Sequence, residues 1–179
     1  MSSAGTSQLA YVSLTGPDRV GLISAVTARL FDLGANLADT NFAVLGTGFE
    51  FHAVCDLPND LSLEEIAAGL RSLEQLAGAD VSVTPFVHAP TQAENARITH
   101  VIDVVGGDRP GLIARLTEAF QDYDANIVRM NSVRLPGSGA DASYVTRFEV
   151  YIPARADQCL AAIDNTAQQL SCTCRWQDA

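Results

Sequence analysis

The sequence predicts an α+β fold made of two copies of one small βαββαβ module, each an antiparallel four-stranded sheet with helices on one face. Three kinds of observation predict it: an internal repeat, a constant order of hydrophobic periodicities inside each copy, and turn residues wherever the periodicity changes. The repeat is the strongest. Gly16-Pro17-Asp18-Arg19-Val20-Gly21-Leu22-Ile23 returns ninety residues later as Gly106-Gly107-Asp108-Arg109-Pro110-Gly111-Leu112-Ile113, and the match continues without a gap through Thr27/Thr117, Asp32/Asp122, Ala35/Ala125, Asn36/Asn126 and Asn41/Asn131.

Each copy opens on a short β-rich run, Ala10 to Leu14 in the first and His100 to Val104 in the second. A glycine-bearing loop follows. Leu22, Ile23, Val26 and Leu30, matched by Leu112, Ile113, Leu116 and Phe120, then recur at helical spacing, so one apolar stripe of each helix covers the sheet. Asn36 to Leu45 and Asn126 to Leu135 read as second strands, closed by turns at Gly46-Thr47-Gly48 and Pro136-Gly137-Ser138-Gly139. The third strands alternate most clearly: Phe49, Phe51, Ala53, Cys55 and Leu57 on one face, and Tyr144, Thr146, Phe148, Val150 and Ile152 in the second copy. The second hairpin is longer, around Gly137 and Ser138, which offers a partner-binding feature the first copy lacks. Pro58 and Pro153 end those strands. Ser62-Leu63-Glu64-Glu65 has the form of a capping box, followed by Leu63, Ile66, Leu70 and Leu73; Leu160, Ile163, Ala167 and Leu170 mark the corresponding helix. Val81-Ser82-Val83 and Cys172-Thr173-Cys174 supply the last strands. Right-handed crossovers turn this order into a split-βαβ, ferredoxin-like sandwich. The expected organisation is a disordered N-terminus over 1–7, a first module over 8–87, a linker over 88–97 and a second module over 98–179. Modules of about 80 residues bury modest cores and leave sheet edges open, so a homo-oligomer is expected.

Composition narrows the function. Eleven basic residues, every one an arginine, stand against 21 acidic ones for a net charge of -10, and an acidic surface repels phosphate backbones, so no direct nucleic-acid binding is expected. The start lacks the basic and apolar regions of a signal peptide and no apolar run is long enough to span a bilayer, which makes the expected setting cytoplasmic, with no membrane partner. The four cysteines, Cys55, Cys159, Cys172 and Cys174, follow no zinc or redox spacing; Cys172 and Cys174 share one strand face and read as buried, inert thiols, with a regulatory disulfide or metal site as the alternative. No metal or cofactor is expected. His52, His88 and His100 fall on separate elements beside no nucleophile motif, so no enzyme activity is expected.

The repeated loop is the candidate site. A strand followed by Asp-Arg-x-Gly-Leu and a helix leaves first-turn N–H groups pointing into the loop, where they and the dipole favour a carboxylate. Gly21 and Gly111 remove side chains where a ligand or neighbouring backbone comes close. Asp18 and Asp108 can accept from an ammonium group, and Asn36 and Asn126 offer both donor and acceptor. The same residues also suit a plain reading in which the aspartates cap helices, Arg19 and Arg109 are solvated, and the glycines form turns.

The βαββαβ order, with Gly-x-Asp-Arg-x-Gly-Leu-Ile after the first strand and Ala-Asn at the start of the second, resembles the ACT domain, a regulatory module of amino-acid metabolism. Two such domains and nothing else most resemble the family of glycine cleavage system transcriptional repressors. The resemblance implies a small amino-acid effector, with glycine the one that family points to, held at a domain–domain interface by Asp18, Arg19, Val20, Gly21 and Leu22 with Asn36, and by Asp108, Arg109, Pro110, Gly111 and Leu112 with Asn126. It also implies a protein partner, such as a transcription factor, that holds the DNA. Val20 stands where the second copy, like many family members, has proline, so the second loop is the more preorganised. An allosteric or assembly subunit of a metabolic enzyme is the alternative. The ACT-bearing formyltetrahydrofolate deformylases would carry a catalytic domain where the second copy stands here.

Overall fold

Alternation sets the first module from its first strand. Ala10, Val12 and Leu14 of β1 (Gln8–Pro17) are buried, while Tyr11 and Ser13 between them point to the opposite face. Helix α1 (Leu22–Asp32) lays Leu22, Val26 and Leu30 onto the buried face. Strands β2 (Asn36–Leu45) and β3 (Gly48–Leu57) form a hairpin, α2 (Leu63–Arg71) adds Ile66 and Leu70 to the core, and β4 (Asp80–Pro85) follows a 3-10 turn at Glu74–Leu76. The sheet order is β2-β3-β1-β4, every neighbour antiparallel.

The second module repeats the plan with β5 (His100–Gly107), α3 (Leu112–Gln121), β6 (Asn126–Arg134), β7 (Ser143–Tyr151), α4 (Ala156–Gln169) and β8 (Cys172–Asp178), in the order β6-β7-β5-β8. Its own core packs Phe120 against Phe148, ring centroids 5.2 Å apart. Thr146 is the buried polar residue among those described, and its hydroxyl meets Ser132 Oγ at 3.0 Å, as burial requires. The computed structural model describes residues 8–89, 92–107, 109–135 and 143–179. The expected N-terminal segment, Asp108 and the expected turn at Pro136–Gly139, including the longer hairpin tip, lie outside the described residues. The chain divides into two compact units between His88 and Ala89. A 3-10 turn at Glu94–Ala96 belongs to the second unit, where Asn126 Nδ2 donates to the Asn95 carbonyl at 2.8 Å.

The helix starts fall into two kinds. Ser62 and Glu65 form the expected capping box on α2, with Glu65 N–H donating to Ser62 Oγ at 3.2 Å and Ser62 N–H to Glu65 Oε2 at 2.8 Å. Among the described residues no side chain caps α1 or α3; their N-caps are Gly21 and Gly111. Leu73, expected on the second helix, sits beyond its end, because α2 stops at Arg71 and Leu73 opens the 3-10 turn.

Gly16 and Gly106, the first residues of the repeat, have a packing reason to be glycine. A Cβ on Gly16 would lie 2.8 Å from Ala79 Cα, and one on Gly106 2.9 Å from Cys172 Cα, so the backbones entering β4 and β8 approach too closely for a side chain. No described atom lies within 4 Å of a Cβ on Gly107. Gly106→Ala is therefore expected to lower the stability by about 1–3 kcal/mol in urea unfolding, while Gly107→Ala stays within about 0.5 kcal/mol of the parent.

Candidate functional site

The repeated loops fold alike. Gly21 takes φ 82° and Gly111 φ 85°, the left-handed region open chiefly to glycine. Leu22 N–H donates to the Arg19 carbonyl and Leu112 N–H to the Arg109 carbonyl, both at 3.2 Å. No described atom lies within 4 Å of a Cβ at either glycine, so within the chain it is the backbone angle, and not a neighbouring backbone, that requires glycine. Asp18 does not cap α1, since Gly21 holds that position; its N–H donates instead to the Thr47 carbonyl at 3.0 Å, tying the loop to the β2–β3 hairpin. Neither first turn carries an acidic residue to offset the positive end of its helix. Leu22 and Leu112 belong to the two cores, so their side chains are not available to a ligand.

The two arginines differ, and the cause lies elsewhere in each module. Arg19 Nη1 donates to the carbonyls of Glu74 at 3.1 Å and Gln75 at 3.0 Å, locking the loop onto the 3-10 turn. In the second module α4 runs for 14 residues and β8 begins soon after it, leaving no such turn. Arg109 is exposed and has no partner among the described residues; it lies near enough to Cys172 to oppose the upward push that burial gives that thiol. Val20 is fully exposed at the tip of the first loop, where Pro110 stands in the second, its φ limited by the ring.

The asparagines do not join the loops inside a module. β1 pairs Pro17 with Gly48 at the loop end and Gln8 with Leu57 at the other, and Asn36 pairs with Asp56 at that other end. An 11-residue α1 spans about 16 Å between them. Asn126 likewise lies beyond the C-terminal end of α3, in a depression of about 500 Å³ whose lining includes Asn95, Thr117, Gln121 and Tyr151. Its amide is already engaged with the Asn95 carbonyl, whereas Asn36 is exposed. The constellation inferred from spacing is thus split between the two ends of each module.

The remaining titratable groups have structural settings. Burial pushes the Cys55 and Cys159 thiols up to about 11, and Cys174, half-buried on the same face as Cys172, also to about 11. His52 Nδ1 meets Tyr11 Oη at 2.8 Å with the rings stacked, and His100 Nδ1 meets Thr99 Oγ1 at 2.9 Å. Among the described residues no His, Cys, Asp and Glu cluster is arranged to hold a metal ion. Sequence reasoning missed the Arg19 clamp and the Asp103–Arg147 pair on the sheet of the second module; alternation alone gave a signal for the latter, by placing Arg147 and Glu149 on the face opposite Phe148.

Residues 8–84 and 100–167 each match the ACT domain. The glycine cleavage system transcriptional repressor of Escherichia coli (strain K12) is 26% identical over 152 residues, covering 82% of this chain and 76% of that protein, and its Shigella flexneri counterpart matches equally. A crystal structure of an unknown protein from Galdieria sulphuraria has a TM-score of 0.74 at 20% identity, over 97% of this chain and 99% of that one. Another, of a protein assigned as a glycine cleavage system transcriptional repressor, has a TM-score of 0.62 at 13% identity, over 98% and 99%. At these identities the structural likenesses establish the fold.

The asymmetry of the arginines is measurable. Arg19→Ala is expected to cost about 1 kcal/mol of stability by removing two hydrogen bonds to backbone carbonyls. Arg109→Ala is expected to stay within about 0.5 kcal/mol of the parent in the same urea titration, since it forfeits no contact among the described residues.

Proposed function

The chain belongs to the ACT-domain family, carrying two such domains in tandem, and from that premise we propose that it is a non-enzymatic regulator that binds a small amino acid, glycine first among the candidates, and controls transcription of amino-acid metabolism genes through a protein partner. The observation that carries this reading is the start of α3: a helix N-terminus opened by Gly111 in the left-handed region, with no side-chain cap and with Arg109 unpartnered beside it among the described residues. Such a terminus attracts a carboxylate through its N–H groups and dipole, and an adjacent guanidinium strengthens that attraction with charge-assisted hydrogen bonds. Asp108 and Asn126 are assigned to the ammonium end and Asp18, Val20 and Asn36 to the weaker first site. Within one module the loop and the asparagine lie at opposite ends, so a ligand held by the loop is not also held by that module's own asparagine.

Transcriptional control is assigned to a partner because the chain carries a net charge of -10, too few cations for phosphate contacts. No helix of the described residues is long and apolar enough to cross a membrane. The non-enzymatic reading draws support from the cysteines, whose raised pKa values keep them protonated and weakly nucleophilic near neutral pH.

A thermal-shift panel of the twenty amino acids tests the proposal, since a ligand that binds only the folded state raises Tm. One small amino acid is expected to do so; a panel in which none does refutes the reading. In calorimetric titration Arg109→Ala is expected to weaken that ligand about tenfold, equivalent to about 1.4 kcal/mol, while Arg19→Ala leaves affinity within about twofold. Arg109 is a cleaner probe than Asn126, whose replacement would also remove the brace to Asn95.

In gel-shift experiments at physiological salt the purified protein alone is expected to leave duplex DNA unshifted. Tight binding without added protein would overturn the partner-mediated scheme.

A further inference from the structure

The helix-free face of the second sheet carries a depression of about 580 Å³, none of whose lining residues comes from the repeated loops or from the asparagines that open the second strands. Two adjacent rows of the sheet line it. One sets Arg147, Asp103 and Arg175 side by side on β7, β5 and β8, and the next sets Val133, Val145 and Val105 on β6, β7 and β5. Arg147 takes both carboxylate oxygens of Asp103, Nε donating to Oδ1 at 2.7 Å and Nη2 to Oδ2 at 2.8 Å, and these bonds hold that carboxyl below its ordinary range. As a unit the pair is neutral. Arg175, the cross-strand neighbour of Asp103, is exposed and has no hydrogen-bond or ion-pair partner among the described residues. The depression therefore holds one uncompensated guanidinium beside an apolar row, of which Val105 stays 38% and Val133 49% exposed.

We infer that this depression binds a small branched aliphatic carboxylate, its two oxygens on Arg175 and its hydrocarbon on Val105 and Val145. A guanidinium presents a planar fork of donors that matches the two oxygens of a carboxylate. Inorganic phosphate would satisfy that fork and leave the valines in water, whereas a purely apolar molecule would desolvate the fork without pairing it. An ammonium group gains little here, because both oxygens of Asp103 are already engaged. Reach sets the size of the ligand. Arg175 and Val145 stand two strand spacings apart, about 10 Å, a gap that an arginine side chain and a five-carbon acid cover together and a two-carbon acid does not. The chain's net charge of -10 opposes any anion, but at physiological salt charges beyond about 8 Å are screened, so the guanidinium at the site decides.

The first copy shows what the same scaffold looks like without this chemistry. At the positions of Arg175, Val145 and Val133 it has Ser82, Glu50 and Ala43, so its open face offers no guanidinium there and sets a carboxylate where the hydrocarbon would lie. The site belongs to the second module alone, and it is separate from the amino-acid site at the start of α3.

Titration of sodium isovalerate into the full chain, followed by the valine methyl signals in proton–carbon NMR at constant physiological ionic strength, tests the inference; this probe has no ammonium group. Saturable binding is expected with Kd on the order of 1 mM, the range open to a seven-atom ligand on an open surface. Acetate, which lacks the three carbons that lie on the valines, and inorganic phosphate are each expected to bind at least about tenfold more weakly. Arg175→Ser and Val145→Glu give the second sheet the residues that the first already carries in a folded module, and each is expected to weaken isovalerate at least about tenfold with circular dichroism unchanged. Ser82→Ala, on the first sheet, is expected to leave its affinity within about twofold. No saturable shift up to about 20 mM overturns the inference, twenty times the expected Kd being enough to fill the site. Acetate or phosphate binding as tightly as isovalerate also overturns it, as does an affinity that either Arg175→Ser or Val145→Glu leaves intact.

Discussion

A sheet with helices on one side can bury only half of its side chains, and this constraint governs how both modules are built and how far they have been free to differ. On the covered faces the two copies keep the same apolar logic: Ala10, Val12 and Leu14 in β1 answer to Ile102 and Val104 in β5, and Leu22, Val26 and Leu30 of α1 to Leu112, Leu116 and Phe120 of α3. Changes of size there are absorbed by neighbours, within the narrow limits close packing sets. The uncovered faces have no such restraint. There one copy carries Ser13, Glu50 and Asp80 where the other carries Asp103, Val145 and Thr173.

The loop that joins strand to helix answers to a second constraint, the turn back across the sheet. A chain leaving β1 or β5 has to reverse and start a helix within a few residues, and the left-handed backbone at Gly21 and Gly111 is how both copies do it. With glycine at the N-cap no side-chain oxygen is available to satisfy the first turn, so the device that makes the turn also leaves donors free. What each module then does with that terminus depends on distant parts of the fold. The Glu74–Leu76 turn pins Arg19, and its absence from the second module leaves Arg109 to other partners.

Local features were legible in the sequence and through-space ones were not. Asn36–Leu45 is the strand its pattern predicts, and Ser62 with Glu65 makes the expected capping box, because a period and a cap are properties of a few adjacent residues. β1 runs from Gln8 to Pro17, longer than Ala10 to Leu14, since ladder bonds to β3 extend it past the residues with strong β preference. Arg19 meets carbonyls 55 and 56 positions away, a contact that no pattern of spacing encodes. The separation of the loop from Asn36 is of the same kind: adjacency in a motif says nothing about which end of an 11-residue helix each part occupies.

Duplication supplies a control that a single domain lacks. Features kept in both copies, such as Gly16 and Gly106 against the incoming last strand, are explained by packing alone, since a Cβ would collide in each. Kept features therefore say little about function, because copying preserves structural and functional residues alike. The differences are more informative: Val20 against Pro110, a pinned arginine against one with no hydrogen-bond or ion-pair partner among the described residues, and Glu50 and Asp80 on one open face against Val145 and Thr173 on the other. None of these is required by the fold, because the other copy folds without it. Specialisation is thus concentrated where the core does not constrain the chain, and those are the surfaces on which a ligand or a second molecule would act.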